Sequence, residues 1–197
     1  MRALTVPLFG LALLALTACK LKLVSPNDID VQGVMPDLSF QMTDAATAKP
    51  LTAAALRGRT VLLYFGYTHC PDVCPLTLAA LAQALSTLGP LRQRVRVVFV
   101  SLDPARDTPN VLRTYLDAFI PNAIGLRGPL SDVAASAQQW GVTWRRVNAA
   151  HGAYWIDHTA AVTLVGPDGR LLARYGYGQI ANPAGLEADL RAALESR

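Results

Sequence analysis

Of the residues able to do chemistry in this 197-residue chain, Cys70 and Cys74 stand out. They lie in the run Gly66-Tyr67-Thr68-His69-Cys70-Pro71-Asp72-Val73-Cys74-Pro75. The thiolate is the reactive and metal-binding form of cysteine. Residues four apart on a helix project from one face, with Cβ atoms about 5–6 Å apart. Two sulfurs spaced in this way either close a disulfide after slight adjustment or chelate one metal ion. A soft thiolate pair selects Cu(I), and an added imidazole accommodates Cu(II) as well. A structural zinc site asks for four ligands, more than two thiolates and one plausible imidazole supply. As a dithiol the same pair exchanges electrons with the disulfide of another protein. Spacing alone leaves both chemistries open.

The elements that must position this pair can be read from the flanking pattern. Thr60 to Phe65 is a continuous apolar run, the mark of a strand buried on both faces. Leu76 to Leu88 is predicted as a helix, stopped by Gly89-Pro90. The cysteines therefore sit where a buried strand ends and a helix begins. There the orphan backbone N–H groups and the helix dipole favour a thiolate. Leu38 to Met42 reads as a short strand with a turn near Asp44, and Arg94 to Ser101 as a second buried strand. Thr108-Pro109 is an N-cap followed by proline at the first helical position, opening a helix to about Phe119. Ser131 to Trp140 is another helix, closed by Gly141. Thr159 to Val165 and Arg170 to Tyr175 are strands joined by the turn Gly166-Pro167-Asp168-Gly169, and a last helix covers about Ala184 to Leu194. The order predicts an α/β, thioredoxin-like fold with a central mixed β-sheet flanked by helices.

The third cysteine has a different setting. Arg2 precedes an apolar run from Leu4 to Leu16, broken by Thr5, Pro7 and Gly10. The run is short of the roughly twenty apolar residues that span a bilayer. A charged start, an apolar middle and a small-residue ending mark a signal peptide. The ending Leu16-Thr17-Ala18-Cys19 resembles the bacterial lipobox, whose cysteine becomes the acylated first residue. The expected organisation is a lipoprotein signal peptide over 1–18, a tether over 19–33 starting at lipidated Cys19, and one domain over 34–197. That domain would sit on the extracytoplasmic face of the cell membrane, periplasmic or outer. Setting Cys19 aside leaves an even pair of cysteines in an oxidising compartment. The formal net charge is +4, and the arginines are scattered singly or in pairs. No stripe tracks phosphates, so no nucleic-acid binding is expected. The mild positive charge suits an anionic membrane surface or an acidic partner.

Three stretches carry a resemblance. Tyr67 to Pro75 matches the Tyr-Thr-His-Cys-Pro-Asp-Val-Cys-Pro signature of the Sco/SenC family. Ser101 to Pro109 resembles the family's segment after the second core strand, and Asp157-His158-Thr159 the segment holding its third ligand. The likeness covers about residues 34 to 195. It implies one copper ion, Cu(I) or Cu(II), bound through Cys70, Cys74 and His158. It also implies a role in assembling the binuclear copper centre of cytochrome c oxidase subunit II. The first function is that of a non-enzymatic metallochaperone. The alternative is a membrane-tethered thiol–disulfide oxidoreductase whose redox-active pair, Cys70 and Cys74, reduces the cysteines of that site. Against an ordinary thioredoxin, three residues separate the cysteines, and Asp157-His158 stands where a Thr-Pro would precede the hairpin strand. A histidine there suits a metal. The segment Asn148 to Asp157 reads as a loop, which a bound metal must draw toward the helix. A local turn and cap account for Asp103, Arg106 and Asp107. Met42 is assigned to the core and His151 to the surface.

Overall fold

The computed structural model describes residues 41–195. The expectations for Cys19, the signal segment, the tether and the start of the first strand fall outside these residues. In chain order the strands are β1 (Gln41–Asp44), β2 (Pro50–Thr52), β3 (Thr60–Gly66), β4 (Val95–Ser101), β5 (Ile124–Arg127), β6 (Trp144–Asn148), β7 (Tyr154–His158), β8 (Ala161–Val165) and β9 (Leu171–Gly176). The helices are α1 (Val73–Ser86), α2 (Pro109–Asp117), α3 (Leu130–Gln139), α4 (Tyr177–Ile180) and α5 (Pro183–Glu195). Seven strands form one mixed sheet in the order β2-β1-β5-β4-β3-β8-β9. Strands β3, β4 and β5 run parallel, and β8 pairs antiparallel with β3. Every residue of β3 is buried, as its apolar run requires of a central strand covered on both faces. On one side α1 packs with α4 and α5. Elsewhere α2 packs on β5, where Gly125 lets it approach: a methyl group there would stand 2.8 Å from Leu112 Cγ.

Two elements differ from the sequence reading in ways that matter. Helix α1 begins at Val73 rather than Leu76, taking Cys74 and Pro75 into its first turn. Proline is tolerated there because the first N–H groups of a helix have no intrahelical partner. The segment Asn148 to Asp157 is not a loop. It is the turn and second strand of a separate two-stranded ribbon, β6–β7, turning through Ala150–Gly152 with His151 at φ 57 and Gly152 at φ 76. The first hairpin, which lacks a glycine, turns with Ala48 at φ 55, a conformation costing about 1–2 kcal/mol for a non-glycine residue.

This topology gathers three chain-distant segments. Gly66 and Ser101 are register partners at the carboxyl ends of β3 and β4. Strand β8 runs the other way, with Val162 opposite Tyr64, so His158, ending β7 just before β8, reaches the same end of the sheet.

Candidate metal centre

The ligand atoms of Cys70, Cys74 and His158 all lie within 4.8 Å of one another. Cys74 Sγ is 3.5 Å from His158 Nε2, and the Cys74 backbone N–H donates to Cys70 Sγ at 3.4 Å. Both cysteines are free thiols. Cys74 is fully buried, whereas Cys70 retains 9% exposure and His158 is half-buried. The three sequence-predicted ligands are thus brought together by the chain's own packing, and no drawing-in of a loop is needed. The ribbon already holds His158 over the helix start. Its Nδ1 is 3.1 Å from the Thr159 carbonyl oxygen. Donation from Nδ1–H to that carbonyl leaves the Nε2 lone pair facing the sulfurs, the tautomer a metal requires. The rings of Tyr64 and Tyr67 meet the imidazole edge-on, with centroids 6.2 and 6.0 Å away.

The two thiols are electrostatically unequal. The Cys74 side chain, then the His158 ring and the Asp72 and Cys74 backbone N–H groups, lower the Cys70 thiol against the opposing cost of burial. The same contact with Cys70, reinforced by burial, pushes the Cys74 thiol up. Of the two, Cys70 is the readier thiolate. A donor set of two sulfurs and one imidazole nitrogen fits copper, and among the described residues no fourth His, Cys, Asp or Glu joins the cluster as structural zinc would ask.

Behind the ligands the packing is close. A methyl group at Gly66 would sit 2.9 Å from Phe99 Cε2 and 3.1 Å from Cys74 Sγ. Gly66→Ala is accordingly expected to displace Cys74, destabilising the fold by about 1–3 kcal/mol and lowering metal affinity. Thermal unfolding together with a metal titration of the variant checks both.

Sequence reasoning undervalued the 101–109 segment, giving it only a turn and a cap. The cap is present, with Thr108 Oγ1 accepting from the Val111 N–H at 3.4 Å. Asp107, however, is fully buried and accepts from Thr68 N–H at 3.2 Å, Thr68 Oγ1 at 2.6 Å and Ser101 Oγ at 2.6 Å. It ties the cysteine loop to the end of β4. Asp103 accepts from Arg106 Nε and, at 2.9 Å, from Tyr154 OH, while Arg106 Nη1 donates to the Tyr154 carbonyl at 3.1 Å. Arg106 and Arg146 lie 3.6 and 3.7 Å from the Tyr154 ring centroid, too close for both to share one face. The network thus links the β4–α2 segment to the strand that ends in His158. The signal available in the sequence was two acids and an arginine among small residues directly after a buried strand. Of the other candidates, Met42 is buried and His151 exposed, as assigned. His69 is half-exposed, its Nδ1 3.0 Å from Thr68 Oγ1. Asp72 is exposed.

A mixed sheet presenting two cysteines and an imidazole at the carboxyl end of its central strands defines a thioredoxin-like dithiol domain. The chain belongs to the SCO1/SenC family, whose model matches residues 35–195. The mitochondrial protein SCO2 of Saccharomyces cerevisiae is 38% identical over 141 residues, 70% of this chain and 46% of that one. The structure of Bradyrhizobium japonicum ScoI with copper bound is 35% identical, with TM-score 0.71 over 80% of this chain and 98% of that chain. Apo Sco1 from Thermus thermophilus is 37% identical, with TM-score 0.73 over 83% of this chain and 95% of that chain. The chain spans about half to three-fifths of the length of the curated relatives it matches.

Proposed function

We propose that this chain carries one copper ion between Cys70, Cys74 and His158 and passes it on in the assembly of the binuclear copper centre of cytochrome c oxidase subunit II. The observation that carries the reading is the convergence of two sulfurs and one imidazole nitrogen within 4.8 Å. The donor chemistry supports copper over harder ions, and a relative of 35% identity is known with copper bound. In this role Cys70, the readier thiolate, and Cys74 would supply the two sulfurs, and His158 would complete the set through Nε2. Transfer is a ligand exchange in which a partner's donors replace these three.

Titrating the reduced chain with Cu(I) and with Cu(II) tests the proposal. One equivalent of each is expected to bind, with sulfur ligation and with nitrogen coupling in the Cu(II) EPR spectrum. Cu(I) accepts few ligands, whereas Cu(II) prefers a tetragonal set that includes nitrogen. His158→Ala is therefore expected to weaken Cu(II) far more than Cu(I) and to abolish the nitrogen coupling, while disulfide exchange continues. One observation favours a second reading: the pair combines a slightly exposed thiolate with a buried thiol, the arrangement of an attacking and a resolving cysteine. If His158→Ala leaves Cu(II) binding intact and cripples reduction of a disulfide substrate, thiol–disulfide exchange becomes the primary function.

The same proposal includes a lipid anchor at Cys19 on the extracytoplasmic face of the membrane. Among the described residues no helix is long and apolar enough to cross a membrane. Cys19→Ala is expected to move the protein to the soluble fraction or to leave an unprocessed precursor, since stable anchoring needs more than one acyl chain. Mass spectrometry finding Cys19 unmodified in the mature protein would remove the anchor from the proposal.

A further inference from the structure

The end of the sheet opposite the cysteines carries a second concentration of charge. Thr60 and Val95, register partners at the amino ends of β3 and β4, lie seven-residue strands away from Gly66 and Ser101, about 20 Å at the usual rise per residue. Beside them opens a cleft of about 790 Å³ lined by Arg59, Arg92, Arg96, Gln93 and Asn122, with Leu85, Val97 and Ile120 supplying apolar wall. The three arginines come from three places in the chain: the approach to β3, the 3-10 turn before β4, and β4 itself. That is why the sequence read as scattered charge.

Two of these cations converge on one atom. Arg59 Nη1 and Arg96 Nη1 both donate to the Gln93 carbonyl oxygen, at 3.3 and 3.2 Å. Their nitrogens are therefore no more than about 6.5 Å apart by that shared contact. No carboxylate lines the cleft. Among the described residues the ion pairs of Arg106, Arg145 and Arg191 all lie elsewhere. Burial, and then the Arg59 charge, lower Arg96 from its usual value, as expected for like charges held together without an acid. Guanidinium groups offer paired donors matched to phosphate oxygens. The apolar wall beside them leaves room for the body of a ligand that carries the phosphate.

We propose that the cleft between Arg59, Arg92 and Arg96 is a binding site for a phosphate-bearing anion, either a soluble one or the headgroup of an anionic phospholipid. The site is independent of the copper proposal, since it shares no residue with the metal centre. A phosphate seated there would make charge-assisted hydrogen bonds with two or three guanidinium groups and relieve their mutual repulsion.

The test is thermal unfolding of the whole reduced chain in a zwitterionic detergent. The additions are sodium pyrophosphate, mixed micelles carrying phosphatidylglycerol, mixed micelles carrying phosphatidylcholine, and sodium chloride at matched ionic strength. A hundredfold excess over Kd is expected to raise the melting temperature by about 5–10 °C, with no rise from chloride or phosphatidylcholine. Arg59→Gln/Arg96→Gln should weaken pyrophosphate about tenfold or more. Lys49→Gln/Arg170→Gln removes equal charge from other exposed positions and should respond like the unaltered chain. A response to pyrophosphate alone identifies a soluble ligand, and one to phosphatidylglycerol alone identifies a lipid. The proposal is overturned if neither stabilises the chain, or if the arginine double variant responds as strongly as the unaltered protein.

Discussion

Cys74→Ser is expected to leave a chain that folds but cannot retain copper. The remaining thiolate and imidazole lose the closed chelate, and removing one arm of a linked pair typically costs two to four orders of magnitude in apparent affinity, about 10²–10⁴-fold. Cys70→Ser should cost as much affinity for the same reason. Their effects on folding should differ. Cys74 is fully buried behind Gly66 and Phe99, so a serine there places a hydroxyl in a closely packed site. Position 70 retains some exposure and can hydrate a hydroxyl. Competition against a Cu(I) chelator reads the affinity, and circular dichroism reads the fold. Unchanged stoichiometry and affinity in either variant would refute the assignment of the metal centre.

Asp107→Ala should be strongly damaging although the residue lies outside the metal centre. It strands the Thr68 N–H, the Thr68 hydroxyl and the Ser101 hydroxyl, all of which donate to a carboxylate with no exposure. An unsatisfied buried donor costs about 1–3 kcal/mol. Thr68 is half-buried and recovers part of its loss through water, so a net destabilisation of about 3 kcal/mol is expected. In urea the midpoint should fall while the slope stays constant. Copper affinity should fall as well, because Thr68 stands two residues before Cys70. Asp107→Asn keeps one accepting oxygen and should lie between. A loss below about 1 kcal/mol in the alanine variant, within the ordinary spread for single substitutions, would show that the carboxylate does not hold the loop.

The parts of this architecture legible in the sequence are those written locally. The uninterrupted apolar run of β3, the proline-capped start of α2 and the Gly-Pro-Asp-Gly turn before β9 each state their conformation within a few residues. The cysteine pair is equally local. His158 was legible only through resemblance, because its approach to Cys74 depends on β7 and β8, 84 residues further along the chain. The ribbon β6–β7 escaped because Arg145, Arg146 and Asp157 give it an exposed, charged pattern. It is held instead by its backbone ladder and by Tyr154, tied to Arg106 and Asp103, contacts no periodicity records. Strand β5 is four residues long with a glycine required by α2, and it too carries little signal. Asp107 looked like a turn residue because its partners, Thr68 and Ser101, are brought to it only by the parallel pairing of β3 with β4.

On the proposed copper role, the unequal burial of Cys70, Cys74 and His158 sets the direction from which a partner would take the ion. Cys74 is sealed from below by Gly66 and Phe99, so no incoming donor can reach an ion from its side. The accessible side belongs to His158 and Cys70. In such a transfer the bonds would break in order of accessibility: the half-buried imidazole first, then Cys70, and Cys74 last. The deepest sulfur would keep its hold until the acceptor's own donors were in place, so that the ion passes between proteins without being released to water.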